Sequence, residues 1–319
     1  MAEEVSGLDF ERPVLELEMK IRELRNFAIT EKMDFSEEIS ILEEKCNKMK
    51  LEIFGSLTAW QKVQLARHPR RPYTMDYIRL LSKDFLEIHG DRAFGDDLSI
   101  IGGLATFEDE PIMIIGHQKG RTVQENMQRN FGMPHPEGYR KAERLMRLAE
   151  KFKIPLVTLI DTPGAYPGIG AEERGQAEAI GRNLWVMAQL KIPFIALVIG
   201  EGGSGGALAL ALADRVLMLE NSIYSVITPE GCAAILFRDA GKSGDAAKAL
   251  KLTSNDLLGL KVIDEIIPEP LGGAHCDVEF TAEAVRQVLK KSLQELRKNT
   301  IEELVELRYQ KFRKMGVFK

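Results

Sequence analysis

Two amphipathic stripes lie near the start of the chain. Apolar residues over positions 14–28 recur in alternating steps of three and four, which places them on one face of an α-helix. The same spacing returns over residues 39–57. Asp34, with Glu37 three residues later, predicts the start of the second helix. The two stripes predict a helical hairpin that packs either against its own chain or against another subunit.

After this hairpin the pattern changes to mixed helix and strand. A third helix is predicted over residues 74–88, before a break rich in Gly and Asp over residues 90–97. Residues 98–107 and 112–117 have the composition of β-strands, and residues 108–111 between them are expected to form a hairpin turn. From there helices and strands alternate, which favours a layered α/β fold.

One structural unit occurs twice, 38 residues apart. A predicted helix over residues 140–152 leads through Lys-Ile-Pro into an apolar strand over residues 156–160. A second helix over residues 177–190 leads through another Lys-Ile-Pro into a strand over residues 194–199. Each strand ends in a glycine-rich turn. This repetition predicts stacked turns of one superhelical core.

Composition excludes several classes of protein. The 319 residues are 45% hydrophobic and 29% charged, which excludes disordered and fibrous chains. A net charge of -5 offers no basic excess for nucleic acid or an anionic membrane. The apolar runs are far shorter than the ~18 residues of a membrane helix, so no membrane span is expected. A secretory signal is not expected either, because the acidic Glu3 and Glu4 stand where such a signal has basic residues. Three scattered cysteines are typical of reduced thiols, so a cytoplasmic location is expected, and the absence of metal-ligand spacing predicts no bound metal.

Two glycine-rich loops form the candidate functional site. The first, residues 161–168, has the sequence DTPGAYPG, and the second, residues 200–206, has the sequence GEGGSGG. The apolar run over residues 207–213 predicts a helix that is buried all round, whose first backbone N–H groups point at whatever occupies the second loop. Such amides form a preorganised site for a negatively charged oxygen.

A dinucleotide-binding fold is an alternative for the second loop. Gly200, Gly202 and Gly205 satisfy G-x-G-x-x-G, and Glu220 lies twenty residues beyond Gly200. The position of the motif late in the chain, without a second mononucleotide-binding half, argues against this interpretation. An oxyanion site for acyl chemistry is the favoured interpretation.

Several longer motifs point to one family. The two loops occur together with GHQKGR at residues 116–121, RNFGMP at 129–134, PEGYRKA at 136–142 and PEPLGGAH at 268–275. With these motifs the chain closely resembles the alpha-subunit family of bacterial acetyl-CoA carboxylase carboxyltransferases. The resemblance extends over nearly the whole chain, from LDF at residues 8–10 to RYQK at residues 308–311.

The resemblance implies a fold class and a domain organisation. The expected fold is α/β, a crotonase-like ββα superhelix with an N-terminal helical extension and a C-terminal helical tail. The expected boundaries are an N-terminal helical segment over residues 1–34, a carboxyltransferase domain over 35–295 with its crotonase-like core at about 91–275, and a tail over 296–319.

The resemblance also implies an activity and its partners. The family transfers the carboxyl group of carboxybiotin, held on the biotin carboxyl carrier protein, to acetyl-CoA, forming malonyl-CoA in the first committed step of fatty acid synthesis. Activity is expected only with the beta subunit, in an α2β2 assembly in which zinc belongs to the beta subunit. Biotin is attached to the carrier, and ATP is used by the biotin carboxylase component; neither nucleic acid nor membrane is an expected partner. A non-catalytic scaffold subunit of the same complex is the alternative.

Individual residues have expected roles. By the family's pattern the backbone amides of Gly205 and Gly206 are expected to bind the biotin carbonyl oxygen. Lys119 and Arg121, which follow the end of a predicted strand, are candidate contacts for a CoA phosphate or a carboxylate, with a solvated surface pair as the alternative. Further biotin or substrate contacts are expected from Gly164, Ala165, Tyr166, Gly168, Gly202, Gly203 and Ser204. Hydrogen-bonding structural roles are expected for His117, His135 and His275, and an orienting role for Glu201. The glycines could instead serve tight helix packing; under the oxyanion hypothesis, Gly206→Val abolishes transfer and leaves assembly mostly intact.

Overall fold

The computed structural model describes residues 7–31 and 33–316, so the prediction made from Glu3 and Glu4 lies outside the described residues. The strands are β1 (Lys83–Glu87), β2 (Ile100–Phe107), β3 (Glu110–His117), β4 (Leu156–Thr162), β5 (Phe194–Gly203), β6 (Arg215–Leu219), β7 (Ile223–Ser225) and β8 (Glu265–Ile267). The α-helices are α1 (Arg12–Glu31), α2 (Ser36–Phe54), α3 (Ala59–Ala66), α4 (Thr74–Leu81), α5 (Val123–Gln128), α6 (Pro136–Phe152), α7 (Ile169–Glu173), α8 (Gln176–Gln189), α9 (Ser204–Leu208), α10 (Pro229–Phe237), α11 (Ser243–Leu250), α12 (Ser254–Gly259), α13 (Val278–Leu296) and α14 (Ile301–Arg313). Short 3-10 helices lie at Asp9–Glu11, Asn130–Gly132 and Ala240–Lys242. None of the helices in the described ranges combines the length and the apolar character needed to cross a membrane.

The fold is built on one mixed β-sheet of eight strands within the described residues. Its strand order is β1-β2-β3-β4-β5-β6-β8, and β7 pairs with the end of β5. The hairpin of β2 and β3 predicted around residues 108–111 is confirmed, and the pairs from β3 onward are parallel. Neighbouring strands follow chain order, unlike the 3-2-1-4-5-6 order of a dinucleotide-binding fold, so the structure excludes that alternative.

Helices cover both faces of the sheet. Phe194, Ala196 and Val198 of β5 face a core shared with α6 and α8, whereas Ile195 and Leu197 face a core shared with α4 and α13. Because successive side chains of a strand point to opposite faces, a strand covered on both sides is apolar throughout. This explains why β4 and β5 are mainly apolar on both faces, without an alternation of apolar and polar residues.

The internal repeat predicted from the sequence is confirmed. Leu156 pairs with Phe194 and Ile160 with Val198, so the sequence offset of 38 residues is also the register between two neighbouring parallel strands. Helices α6 and α8, which precede these strands, pack against each other in the same layer. The repeat therefore represents two successive turns of the superhelical core.

Four details of the predicted elements are wrong. The third helix ends at Leu81, and residues 83–87 form the edge strand β1 because they pair with β2, where Gly103 lets the backbone of Leu86 approach closely. Helix α2 begins at Ser36 rather than at Asp34, whose carboxylate accepts a hydrogen bond from the Ser36 amide at 3.0 Å. Helix α3 has no counterpart among the predicted elements. The run over residues 207–213 is mostly buried, but Leu208 is exposed beside the second loop, and the helix ends at Leu208 because the chain must turn to begin β6 beside β5.

The N-terminal hairpin, residues 12–54, is confirmed. Val14, Leu17 and Ile21 of α1 are buried against Cys46 of α2, so the two helices share a small core of their own. The boundary predicted between residues 34 and 35 falls in the turn of this hairpin. Contact between the hairpin and another subunit stays a prediction.

The C-terminal helix α14 is fastened to the main core by one buried arginine. The Arg308 guanidinium donates to the Asp214 carboxylate at 2.7 Å and to the carbonyl oxygens of Met187 and Leu190 at 2.7 and 2.9 Å. Breaking such a buried pair typically costs about 3–5 kcal/mol because the remaining charge has no partner. The tail predicted over residues 296–319 is thus tied to the core through the part that the structure describes.

Candidate active site at the two glycine loops

The two glycine loops lie side by side at the carboxyl ends of β4 and β5; we call residues 161–168 and 200–206 together the loop edge. Residues 200–203, predicted as loop, are the last residues of strand β5. Helix α9 begins directly afterwards at Ser204, whose φ of 53° lies in the left-handed region. In a parallel α/β sheet this edge is where binding sites form.

The backbones of the two loops are in direct contact. A Cβ atom on Gly203 would lie 2.1 Å from the Pro163 carbonyl oxygen, and one on Gly206 would lie 2.6 Å from the Gly164 carbonyl carbon. At Gly205 the nearest heavy atom, on Ile180, would be 3.6 Å away. Close packing therefore requires glycine at positions 203 and 206, whereas position 205 has room for a Cβ atom.

The structure brings part of the predicted oxyanion site to the surface. Gly206 is buried, Gly205 is half-buried and Ser204 is exposed. The amides of these three residues precede the first hydrogen bond within α9, and no side chain caps the helix. The position of the loop edge is thus compatible with amides that donate to a ligand from outside.

A cavity of about 320 Å³ adjoins Ser204 and Gly205. Its wall is mainly apolar and includes Leu208, Tyr224, Val226, Leu250, Leu257 and Val262. Sequence reasoning missed these residues because they come from separate elements and form no motif. Val226 is 77% exposed, so the cavity opens to the surface of the chain.

The first loop is held by bonds to its own backbone and to the segment before α6. The Thr162 hydroxyl donates to the Gly164 carbonyl oxygen at 2.8 Å, and the Tyr166 amide donates to the Pro134 carbonyl oxygen at 3.0 Å. The half-buried Tyr166 ring packs on His135 with a centroid distance of 4.1 Å. A Cβ atom on Gly168 would lie 2.3 Å from the Tyr166 ring, so this glycine makes room for the aromatic side chain.

The basic pair predicted to contact CoA is engaged within the chain. The Lys119 ammonium lies 2.6 Å from the buried Asp161 carboxylate. Arg121 pairs with Asp76 at 2.5 Å and stacks over the Tyr73 ring at 3.9 Å, contacts that lie outside the two glycine loops. Both side chains have intramolecular partners, and their contact with CoA stays a prediction.

Glu201 also has a partner inside the chain. Its buried carboxylate accepts from Arg67 at 2.6 Å, and the same guanidinium pairs with Glu230 of α10 at 2.5 Å. Burial disfavours the charged guanidinium, but the hydrogen bonds from Glu201 and Glu230 outweigh that penalty and raise the pKa of Arg67. Glu201 thus links α3 to the loop edge.

The three motif histidines differ in their surroundings. His135 lies 3.2 Å from an Arg174 nitrogen, in agreement with its predicted hydrogen-bonding role. His117 is fully buried with no hydrogen-bond partner for either ring nitrogen among the described residues. Burial lowers the pKa of His117 to about 4, so the ring is neutral at pH 7. His275 stacks on His68 at a centroid distance of 3.8 Å, and its Nδ1 atom has no partner in the described ranges.

Three side chains of types that can bind a metal ion lie together away from the loop edge: Glu11, His68 and His275. The His68 Nε2 atom lies 3.7 Å from the Glu11 carboxylate, but its Nδ1 atom accepts from the Arg70 amide at 3.2 Å. In a neutral imidazole that acceptor role puts the proton on Nε2, which then has no lone pair for a metal. This arrangement suits a buried polar contact between the N-terminal segment and the core better than it suits a metal site.

Comparison with known proteins identifies the family. The family model described as acetyl co-enzyme A carboxylase carboxyltransferase-like matches residues 7–316. Proteins named acetyl-coenzyme A carboxylase carboxyl transferase subunit alpha from Geobacter metallireducens and Burkholderia multivorans are each 59% identical to this chain, over 98% of it and over 98% and 97% of their own lengths.

Solved structures share the fold at low sequence identity. The transcarboxylase 12S structure with methylmalonyl-coenzyme A matches 70% of this chain and 41% of its own at a TM-score of 0.58 and 20% identity. A Pseudomonas malonate decarboxylase hetero-tetramer in complex with coenzyme A matches 73% of this chain and 91% of its own at a TM-score of 0.59 and 16% identity. The predicted crotonase-like α/β fold is confirmed. The chain belongs to the acetyl-CoA carboxylase carboxyltransferase family, among its alpha subunits.

Proposed function

We propose that this chain is the alpha subunit of an acetyl-CoA carboxylase carboxyltransferase and takes part in carboxyl transfer from carboxybiotin to acetyl-CoA, forming malonyl-CoA for fatty acid synthesis. The observation that carries the proposal is 59% identity, over nearly the full length of both chains, to proteins named as that subunit. The loop edge supports it because backbone amides beside an open cavity suit an anionic oxygen, and the strand order excludes the dinucleotide-binding alternative.

The cavity beside Ser204 and Gly205 fits the ring system of biotin. Its apolar wall, including Leu208 and Tyr224, suits the hydrocarbon faces of the ring, and the polar backbone of α9 lies at one end. Biotin on its carrier supplies the carboxyl group for transfer and a ureido oxygen that becomes negatively charged when the group leaves. In this proposal Gly164, Ala165, Tyr166, Gly168, Gly202, Gly203 and Ser204 shape the walls and approaches of the site.

The amides of Gly205 and Gly206 donate hydrogen bonds to the ureido oxygen in this proposal. Each preorganised donor of this kind contributes about 3 kcal/mol to stabilising the transition state. No side-chain base is required of this chain if the charged ureido group takes the proton from acetyl-CoA. The chain's own contribution is then charge stabilisation, orientation and the exclusion of water.

The site is shared with a partner in this proposal. The exposed Val226 at the cavity mouth leaves an apolar wall that a beta subunit would cover. We propose an α2β2 assembly in which zinc belongs to the beta subunit. The assembly receives biotin on the biotin carboxyl carrier protein after ATP-dependent carboxylation by biotin carboxylase. A cytoplasmic location stays a prediction.

Reconstitution tests the proposal against the scaffold alternative. The chain is mixed with the beta subunit, a carboxybiotin donor and acetyl-CoA, and malonyl-CoA is measured; each subunit alone is the control. Transfer that needs both chains supports the enzyme. Equal transfer by the beta subunit alone would show that this chain is a scaffold.

A further inference from the structure

The ladder between β4 and β5 is interrupted directly below the loop edge. Ile160 pairs with Val198, but Thr162 pairs with Gly202, so β5 contains two extra residues over this interval. An irregularity of this kind leaves backbone groups without their ladder partners. The buried Glu201 amide is one such group, and it donates at 2.9 Å to the Asp161 carboxylate instead of to a carbonyl oxygen of β4.

The Asp161 side chain packs closely against the irregular segment of β5. Its side chain is almost fully buried, and a Cβ atom on Gly200 would lie 2.5 Å from its Oδ1 atom. That same oxygen accepts from the Lys119 ammonium at 2.6 Å. The stem of Lys119 passes over Gly132, where a Cβ atom would lie 2.7 Å from it. Burial disfavours the ammonium, but Asp161 and Glu201 outweigh that penalty and raise the pKa of Lys119, so the pair is ionic.

We propose that Asp161, neutralised by Lys119, is a positioning residue that sets the distance between the two glycine loops by holding the irregular segment of β5. The inference deepens the proposed function and depends on it. Gly203 and Gly206 touch the first loop backbone to backbone, so a displacement of Glu201 moves the amides of Gly205 and Gly206 against that loop. A misplacement of about 1 Å at a catalytic site can lower the rate by about 100-fold.

The chain offers a matched control for this pair. The Asp264 carboxylate likewise accepts a backbone amide, that of Val216 at 2.6 Å, and a lysine ammonium, that of Lys311 at 2.7 Å. This second pair lies at the amino end of β6, away from the loop edge. Asp264→Asn therefore removes a carboxylate that has the same two kinds of donor, an amide and a lysine, without a link to the glycine loops, although the Asp264 side chain is more exposed than that of Asp161.

The first experiment compares Asp161→Asn with Asp264→Asn in the reconstituted complex with the beta subunit. Both variants are expected to lose thermal stability, Asp161→Asn more than Asp264→Asn because its pair is more deeply buried. Asp161→Asn alone is expected to lower kcat about 10- to 100-fold with little change in the KM for acetyl-CoA. In Asp161→Asn the backbone amides of residues 202–206 are also expected to exchange hydrogen faster than in Asp264→Asn. This exchange is measured on the assembled complex. If Asp161→Asn keeps the kcat and the exchange pattern of Asp264→Asn, the inference is wrong.

A second variant separates the hydrogen bond from the charge. Lys119→Met leaves the Asp161 charge buried without its partner, whereas the double variant Lys119→Met with Asp161→Asn is neutral and keeps an oxygen for the Glu201 amide. The double variant is expected to recover at least about ten-fold in kcat over either single variant. A double variant no better than the singles contradicts the inference. Failure of the proposed function would appear separately, as an inactive wild-type complex; the exchange comparison would still decide whether Asp161 holds the loops.

Discussion

In the N-terminal hairpin, side chains fill the space between two helices, whereas at the loop edge two backbones touch where side chains are missing. Val14, Leu17 and Ile21 supply most of the hairpin's buried cluster. At Gly203 and Gly206 the space for even a Cβ atom is already occupied by the first loop. The hairpin should therefore be damaged by removing atoms, and the loop edge by adding them.

The largest effect is expected from Gly206→Val. Its side chain would enter the backbone of Gly164 and Ala165, so we expect transfer to be abolished together with a loss of about 3 kcal/mol or more in the free energy of unfolding. This changes the expectation from sequence, in which assembly stays mostly intact. Gly205→Ala is the matched control, since the nearest heavy atom would lie 3.6 Å from the added methyl group. Chemical denaturation of both variants would measure the difference, and equal stabilities would contradict the packing argument.

Leu17→Ala tests whether the hairpin is damaged by removing side-chain atoms. Leu17 is buried in the small cluster of α1 and α2, and its truncation leaves a cavity that costs about 2 kcal/mol. Since the hairpin has its own core, faster hydrogen exchange should be confined to residues 12–54. Spread of the change to the loop edge would show that the two regions are coupled.

The loop edge was predictable where a local pattern sets the structure. The repeat at an offset of 38 residues anticipated the pairing of Leu156 with Phe194, and the tight-packing alternative for the glycines fits the lack of space at Gly206. Contacts between distant segments were not predictable: Lys119 meets Asp161 across 42 residues, and the sequence gives no reason to pair them.

Local patterns also failed where tertiary pairing overrides them. Residues 83–87 continue a helical pattern but gain a strand partner in β2, and the apolar run after Gly206 must turn back so that β6 can join β5. In both places the neighbouring strand, and not the local pattern, decides the conformation. The cavity wall beside Gly205 is a third case, because its residues share a location and not a motif.

His117 sharpens the comparison because this fully buried, titratable ring at the end of β3 is influenced by the charge of Asp161 at the loop edge, and among the described residues the hairpin cluster contains no such ring. Its pKa falls from the usual 6.5 to about 4, chiefly through burial; the Asp161 charge opposes that shift and Lys119 adds to it. Between these two pKa values the unfolded chain binds a proton that the folded chain does not, so the stability falls as the pH falls. The stability advantage of wild type over His117→Phe should be about 1 kcal/mol smaller at pH 5.5 than at pH 8. Denaturation of both proteins at the two pH values would show this, and a constant difference would contradict it.

The smallest effect is expected from Ile29→Ser on the outer face of the hairpin. Ile29 is 78% exposed and lies outside the buried cluster, so the substitution should change the free energy of unfolding of the isolated chain by less than about 0.5 kcal/mol. The result separates the two roles that the sequence left open for the hairpin. If Ile29→Ser leaves the isolated chain unchanged but weakens assembly with the beta subunit, measured by sedimentation, the outer face contacts another subunit. If assembly is also unchanged while Leu17→Ala disturbs only residues 12–54, this face is not needed for assembly, and the apolar pattern of α1 serves the hairpin's own packing.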